Sequence, residues 1–231
     1  LKEEGYIASP DIYILPVGGV VRTRSQRTFY SQAQRGKEYN RVYKEGITQN
    51  ETRNSLATQV IFALSKVHNK KTLVIVQHIE HGLDILQRIQ DLGVRAVFVI
   101  GNNKVYYDPT GDPQKDEVSD FRSETVTRFI AGEFDALIAS PVFGVGYNLP
   151  GEAVDAGVIL SGGRGHGAVL QRLGRSLRPR GGDNRVIIVD FFDSQHFYLS
   201  AQSKKRVQEY ETEGHAVLGW KEFSSRFLVG V

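Results

Sequence analysis

The chain has 231 residues, a formal net charge of +3, 40% apolar and 24% charged residues, and no cysteine. A chain of that length buries a sizeable core as one or two domains, and that composition belongs to soluble globular proteins rather than disordered or fibrous ones. It excludes disulfides and cysteine-ligated zinc, and no apolar run is long enough for a membrane span, nor does a secretory signal pattern open the chain.

DIYILPV, Asp11 to Val17, reads as a first strand. A basic stretch follows, with Arg22, Arg24, Arg27, Arg35, Lys37, Arg41 and Lys44. Such runs are often solvated faces, and a nucleic-acid contact is the competing reading. Asn50 to His68 carries Leu56, Val60, Ile61 and Leu64 at helical spacing. KTLVIVQ, VRAVFVI, FDALIAS, AGVILSG and NRVIIVDFF are short, nearly continuous apolar runs, the pattern of parallel strands covered on both faces. Helical patterns lie between them: Ile79 to Asp91, Val118 to Ala131, and roughly His166 to Arg178. Gly101 to Glu117 is rich in turn residues and reads as a loop. The order β-α-β-α-β-β-α-β predicts an α/β fold: an open, mostly parallel sheet with helices on both faces and right-handed crossovers.

Sheets of this kind bind ligands beyond the carboxyl ends of their strands. In this chain those ends lead into HIEHG, GNNK, PVFGVGYNLP and GRGHG, all rich in glycines and polar side chains. The site is therefore expected along one edge of the sheet. QRLGRSLRP, Gln171 to Pro179, adds a helix with Leu170, Leu173 and Leu177 on one side and Gln171, Arg175 and Arg178 on the other. Gly174 sits between the polar positions, and Pro179 ends the helix near Arg178. The result is a donor array aimed at an anion. His78 and His81 stand three apart, but with no cysteine and no third ligand nearby they are not read as a metal site. Asp190 and Asp193 end a strand and are expected to cap it and pair with the arginine helix rather than act as bases.

These segments resemble the second motor domain of superfamily 2 helicases and translocases, from about Tyr39 to about Gly214. KTLVIVQHIEHG is similar to the fourth helicase motif, SPVFGVGYNLP to the fifth and QRLGRSLRP to the sixth; RSETVTRFIAGEFDALIAS is similar to the family's arginine, phenylalanine and glycine pattern before a strand. Each motif alone is a common pattern, and it is the four in order that carry the likeness. VDFFD followed by a helix containing SKKR resembles the phage and prokaryotic branch with DNA substrates.

The resemblance implies a RecA-like helicase C-terminal fold and a role for each motif residue. Arg175 and Arg178 fall at the arginine-finger positions, where fixed, always-charged donors stabilise the γ-phosphate in transfer. Gln171 would lie near that phosphate or the opposing domain. Gly146 and Gly174 allow close approach to ATP, and Asn148 stands where the family most often has an aspartate contacting the ribose. Asparagine can still accept a hydrogen bond but brings no charge. Ser140, His78, Gly101, Asn102 and Arg164 fall at the positions expected to touch nucleic acid, gripping its backbone with little sequence preference. The structural alternatives are that the arginines brace internal acids, that the glycines only reverse the chain, and that the loop residues contact only water.

A helicase also needs a phosphate loop with Gly-Lys followed by Ser or Thr, and an acidic magnesium motif. Gly36–Lys37 is followed by Glu38, and neither motif is present. ATP and Mg would then be held mainly by an N-terminal motor domain of the same protein, and the fragment alone is expected to be inactive. The absence of methionine, with Leu1 in first place, fits such a fragment. The division that follows is a linking segment with one strand over 1–37, the motor domain over 38–214 and a C-terminal extension over 215–231. The expected partners are nucleic acid, with DNA favoured, and that first motor domain, with no membrane; the expected setting is a bacterial cytoplasm or that of a phage host. The alternatives are a stand-alone nucleic-acid or protein binding module without ATPase activity, and the translocating subunit of a restriction system.

Overall fold

The apolar runs build a sheet whose layout is set by their burial on both faces. A computed structural model describes residues 9–21, 32–100, 104–106, 121–140, 154–163 and 185–229. Its strands are β1 (Ser9–Val17), β2 (Thr72–Ile75), β3 (Ala96–Ile100), β4 (Lys104–Tyr106), β5 (Ala136–Ala139), β6 (Ala156–Ile159), β7 (Arg185–Asp193) and β8 (Ala216–Leu218). They lie in the order β4-β3-β5-β2-β6-β7-β1-β8. Every pairing is parallel except that of β4, which runs antiparallel to β3 at the edge. Sequence patterning places residues 104–106 in a loop; a three-residue strand is too short to show a period of two. Strands from both terminal segments join the sheet, β1 between β7 and β8.

The helices are α1 (Gln32–Tyr43), α2 (Glu51–Phe62), α3 (Ile79–Asp91), α4 (Phe121–Ile130), α5 (Phe197–Thr212) and α6 (Trp220–Phe227). Side chains alternate between the two faces of each strand, so the sheet separates two cores. On one face Val74, Phe98, Ile138 and Val158 pack with Ile61 of α2, Leu86 of α3 and Phe223 of α6. On the other Leu73, Val97, Leu137 and Ile188 pack with Phe129 of α4 and Tyr210 of α5. This is the open, mostly parallel α/β sheet of the RecA-like fold, with helices on both faces. Among the described residues no helix is long and apolar enough to cross a membrane.

α2 begins at Asn50, whose side chain accepts from the backbone N–H of Arg53 at 2.9 Å, a regular N-cap. It runs on into a π-helical turn, Ala63–Val67, so the helical stretch matches the sequence pattern almost to the residue. α1, which composition hides, ends the same way in a π-helical turn, Lys44–Thr48. Val42, Tyr43 and Ile47 of this element pack with Val21 and Leu199 as a third small core beside the sheet.

Candidate functional site

Chain direction locates the site. From β2 the chain passes through α3 to β3 on one side of the sheet, whereas from β6 it proceeds to β7 on the other. β2 and β6 are neighbours, so their carboxyl ends flank the switch point at which such sheets open a crevice. A cleft of about 890 Å³ lies there. Gln77, His78, Ile79 and Glu80 line it from the end of β2, and Ser161, Gly162 and Gly163 from the end of β6; Tyr39, Asn40, Tyr43, Lys44 and Thr48 close the third side.

The glycine turn after β6 is fixed from behind by buried donors. Tyr43 donates its hydroxyl to the carbonyl oxygen of Ser161. Burial pushes the Tyr43 phenol well above its ordinary value, which keeps it a donor. Arg53 donates to the carbonyl oxygen of Leu160 at 3.2 Å, and Arg206 to that of Gly163 at 3.1 Å. Gly162 and Gly163 both have positive φ, 52° and 87°, a conformation that a side chain would strain. The carbonyls of Leu160, Ser161 and Gly163 in one short turn are thus held by α2, α1 and α5.

Those arginines belong to a buried charge cluster at the end of β7. Arg53 Nε lies 2.8 Å from Asp193 Oδ1, and its guanidinium sits 4.9 Å from the centre of the Phe191 ring. Arg206 Nε lies 2.8 Å from Asp190 Oδ2, and Tyr210 donates to the same oxygen at 2.7 Å. Ser203 Oγ accepts from the Asp193 backbone N–H at 3.0 Å. Burial pushes the Asp193 carboxyl up despite Arg53 and Arg206 beside it. For Arg206 burial works downward, but Asp190 outweighs it and holds the guanidinium charged. Asp190 and Asp193 were expected to pair with the arginine helix; their described partners are Arg206 of α5 and Arg53 of α2. Arg53 Nη2 is buried without a hydrogen-bond partner among the described residues.

Of the residues singled out in the sequence, His78 lines the cleft, exposed, with its ring edge-on to Tyr43 at 5.2 Å. Ser140 follows β5, one strand away; it is buried and its backbone N–H donates to the carbonyl of Val99 at 3.3 Å. It does not line the cleft. Gly101, Asn102, Gly146, Asn148, Arg164, Gln171, Gly174, Arg175 and Arg178 lie outside the described residues. His81 is buried rather than paired with His78: its Nε2 lies 3.1 Å from Asn54 Oδ1. Asn54 donates through Nδ2 to Thr48 and Asp84, so its oxygen accepts and His81 carries its proton on Nε2. No group of three or more His, Cys, Asp or Glu among the described residues could hold a metal ion.

In the basic stretch, Arg41 is taken up by Glu38 and Glu45 at 2.7 and 2.6 Å. Lys37 and Lys44 are exposed and make no ion pair among the described residues. Sequence reasoning misses Tyr39, Tyr43 and Arg53, and reads Arg206 only as part of the basic SKKR segment, not as a buried side chain. A signal existed for two of them. Arg53 heads the stripe Arg53, Ala57, Val60, Ile61, Leu64, and Arg206 stands in the stripe Leu199, Ser203, Arg206, Tyr210. A charge in a buried stripe calls for an acid in the core, which Asp190 within an apolar strand supplies.

The sequence matches no protein-family model and no curated protein. Its fold has solved counterparts. T4 UvsW is similar over 91% of this chain, with a TM-score of 0.51 and 17% identity, and the chain spans 40% of the length of that structure. The C-terminal domain of the DEAD-box protein Dbp5 is similar over 70% of this chain and 82% of its own, with a TM-score of 0.47 and 15% identity. A DEAD-box protein from the hyperthermophile Methanococcus jannaschii is similar over 77% of this chain and 42% of its own, with a TM-score of 0.47 and 14% identity. At these identities the likeness is one of fold.

Proposed function

We propose that this chain is the second motor domain of an ATP-dependent helicase or translocase that acts on nucleic acid, with DNA the favoured substrate. The observation that carries the reading is the cleft at the switch point between β2 and β6, lined by Gln77 to Glu80 of the segment similar to the fourth helicase motif and by the glycine turn that leads toward the segment similar to the sixth. Glycines at the cleft wall admit a close backbone approach, and Gln77, His78, Asn40 and Thr48 supply side-chain donors and acceptors without a sequence code. The fold shared with T4 UvsW supports the same reading at the level of architecture.

In this reading the buried cluster has a mechanical task. Arg53 and Arg206 grip the turn after β6, from which the chain continues toward Gln171, Arg175 and Arg178. A rigid turn sets where that segment starts, and donors aimed at developing charge are effective only when preorganised. Arg175 and Arg178 then act on the γ-phosphate of an ATP that is held, with its Mg, mainly by the first motor domain. Gly146, Gly174 and Asn148 approach the same nucleotide.

The test is DNA-stimulated ATP hydrolysis by the proposed two-domain parent, wild type against Arg178→Ala, with the 231-residue chain alone as control. Turnover is expected to fall by roughly 10³–10⁵-fold with DNA binding retained, and the chain alone to be silent. Turnover that survives the substitution would remove the finger role and leave a binding module of helicase ancestry.

A further inference from the structure

One row of aromatic rings begins at the cleft and leaves it. His78 packs on Tyr43 at 5.2 Å, Tyr43 on Tyr39 at 6.2 Å, and Tyr39 on Tyr198 at 6.3 Å. Tyr198 in turn stacks on Phe197 at 4.0 Å with 39° between the planes. Phe197 is 62% exposed although it is among the largest apolar side chains in the protein. It is not loose, because His196 and Tyr198 both stack against it within 5 Å and Tyr198 anchors to α1. Tyr39 is held by Gln202, which donates to its hydroxyl at 3.2 Å. The rings are therefore fixed in place before anything binds.

A second stripe runs beside the first on the same helix. Lys37, Asn40 and Lys44 follow at i, i+3 and i+7, one position offset from Tyr39 and Tyr43, and all three are exposed. Arg41 on the adjoining face is consumed by Glu38 and Glu45, whereas the two lysines make no ion pair among the described residues. Across the cleft stands Glu80 on the first turn of α3, which repels phosphates toward the α1 side. Rings next to exposed cations, with an acid on the far wall, suit a ligand that has aromatic faces along one side and negative charge along the other.

We propose that α1 and the start of α5 form a base-stacking platform for single-stranded nucleic acid, with bases on Phe197, Tyr198 and Tyr39 and the phosphate backbone along Lys37 and Lys44. It rests on the reading of this chain as a nucleic-acid motor domain and adds to it the strandedness of the substrate and a grip on bases. A duplex hides its base faces within the stack, so only an unpaired strand can use the rings. Stacking tolerates any base, which suits a protein that moves along a strand.

The test compares the 231-residue chain's affinity for a fluorescein-labelled oligothymidylate with that for an abasic strand of equal length, across a range of potassium chloride. The wild type is expected to prefer the strand with bases. Phe197→Ala and Tyr39→Leu should each weaken that strand by roughly 5- to 150-fold and leave the abasic strand unchanged. Lys37→Ala and Lys44→Ala should weaken both strands and flatten the salt slope by roughly 0.7 for each lysine. Phe197 is exposed, so its truncation leaves the core intact. Tight and equal binding of both strands by the wild type, or an inert Phe197→Ala, overturns the platform while the motor-domain reading stands. Failure of the wild type to bind either strand at low salt overturns both.

Discussion

Arg53 and Asp193 join α2 to the end of β7 through a contact of 2.8 Å from which water is excluded, their side chains being 0% and 1% exposed. The same guanidinium reaches the carbonyl of Leu160 on β6's continuation, so one side chain ties a helix to two neighbouring strand ends. Removing one member of a buried pair strands the other charge in the core. Arg53→Met keeps the volume and removes the charge, and is expected to lower stability by about 3–5 kcal/mol. Urea denaturation of the purified variant measures this. A loss below about 1 kcal/mol would mean that Asp193 is satisfied by Arg206 alone.

Close approach between α3 and β3 gives a second expectation. A Cβ added to Gly82 would meet the Phe98 ring at 2.5 Å, and Phe98 is itself fully buried between strand and helix. A buried ring in a close-packed core shifts only with its neighbours, so Gly82→Ala should cost about 1–3 kcal/mol through overpacking. At Gly46 the obstructing atom is the end of the Leu199 side chain, which can change rotamer. Gly46→Ala should therefore be the milder of the two in thermal denaturation, and the reverse order would place the tight contact at α1 instead.

The legible part of this protein was the part governed by period. α3 spans the residues its apolar spacing marks, and the five apolar runs all became strands, because burial on both faces writes itself as an unbroken run. α1 was not legible in the same way. Its inward face is narrow, the buried Val42 and Tyr43 beside a half-buried Tyr39, with Ile47 following in the π-helical turn, and what it packs against, Leu199, lies far along the chain. β4 and β8 are three residues each, too short for any pattern. Within the candidate site, glycines at strand ends pointed to the edge of the sheet at which the cleft lies, but not to Tyr39 and Tyr43, which reach the cleft only through tertiary packing. Ser140 shows the converse: its place at a strand end was read correctly, yet burial removes it from the cleft.

His81 makes stability depend on pH. Burial pulls its imidazole down to about 3 in the folded chain, whereas an unfolded histidine binds its proton near about 6.5. Between those values the unfolded chain holds more protons than the folded one, so stability present above about pH 6.5 is lost as the pH falls. The loss is at most about 1.4 kcal/mol per pH unit from this group. His81→Gln keeps a donor for Asn54 and cannot titrate. The stability difference between wild type and variant, from urea midpoints at about pH 7.5 and about pH 5, should shrink at the lower value. A constant difference would show that the imidazole titrates alike in the folded and unfolded chain, and a growing one that the fold holds it charged.

Tyr43 separates the two ways in which the cleft is held. Its ring supports His78, and its hydroxyl supports the carbonyl of Ser161 at the glycine turn. Tyr43→Phe retains the ring and removes only the donor. Ser161 is 4% exposed, so water does not readily replace the lost bond. The cost should be about 0.5–1.5 kcal/mol for the hydrogen bond lost. Because the ring contact to His78 persists, the loosening should be local: amide hydrogen exchange should accelerate at residues 160–163 and at the end of α1, with α3 and α4 unchanged. Uniform acceleration would mean that the hydroxyl supports the whole fold, and none would mean that Arg53 and Arg206 suffice to hold the turn.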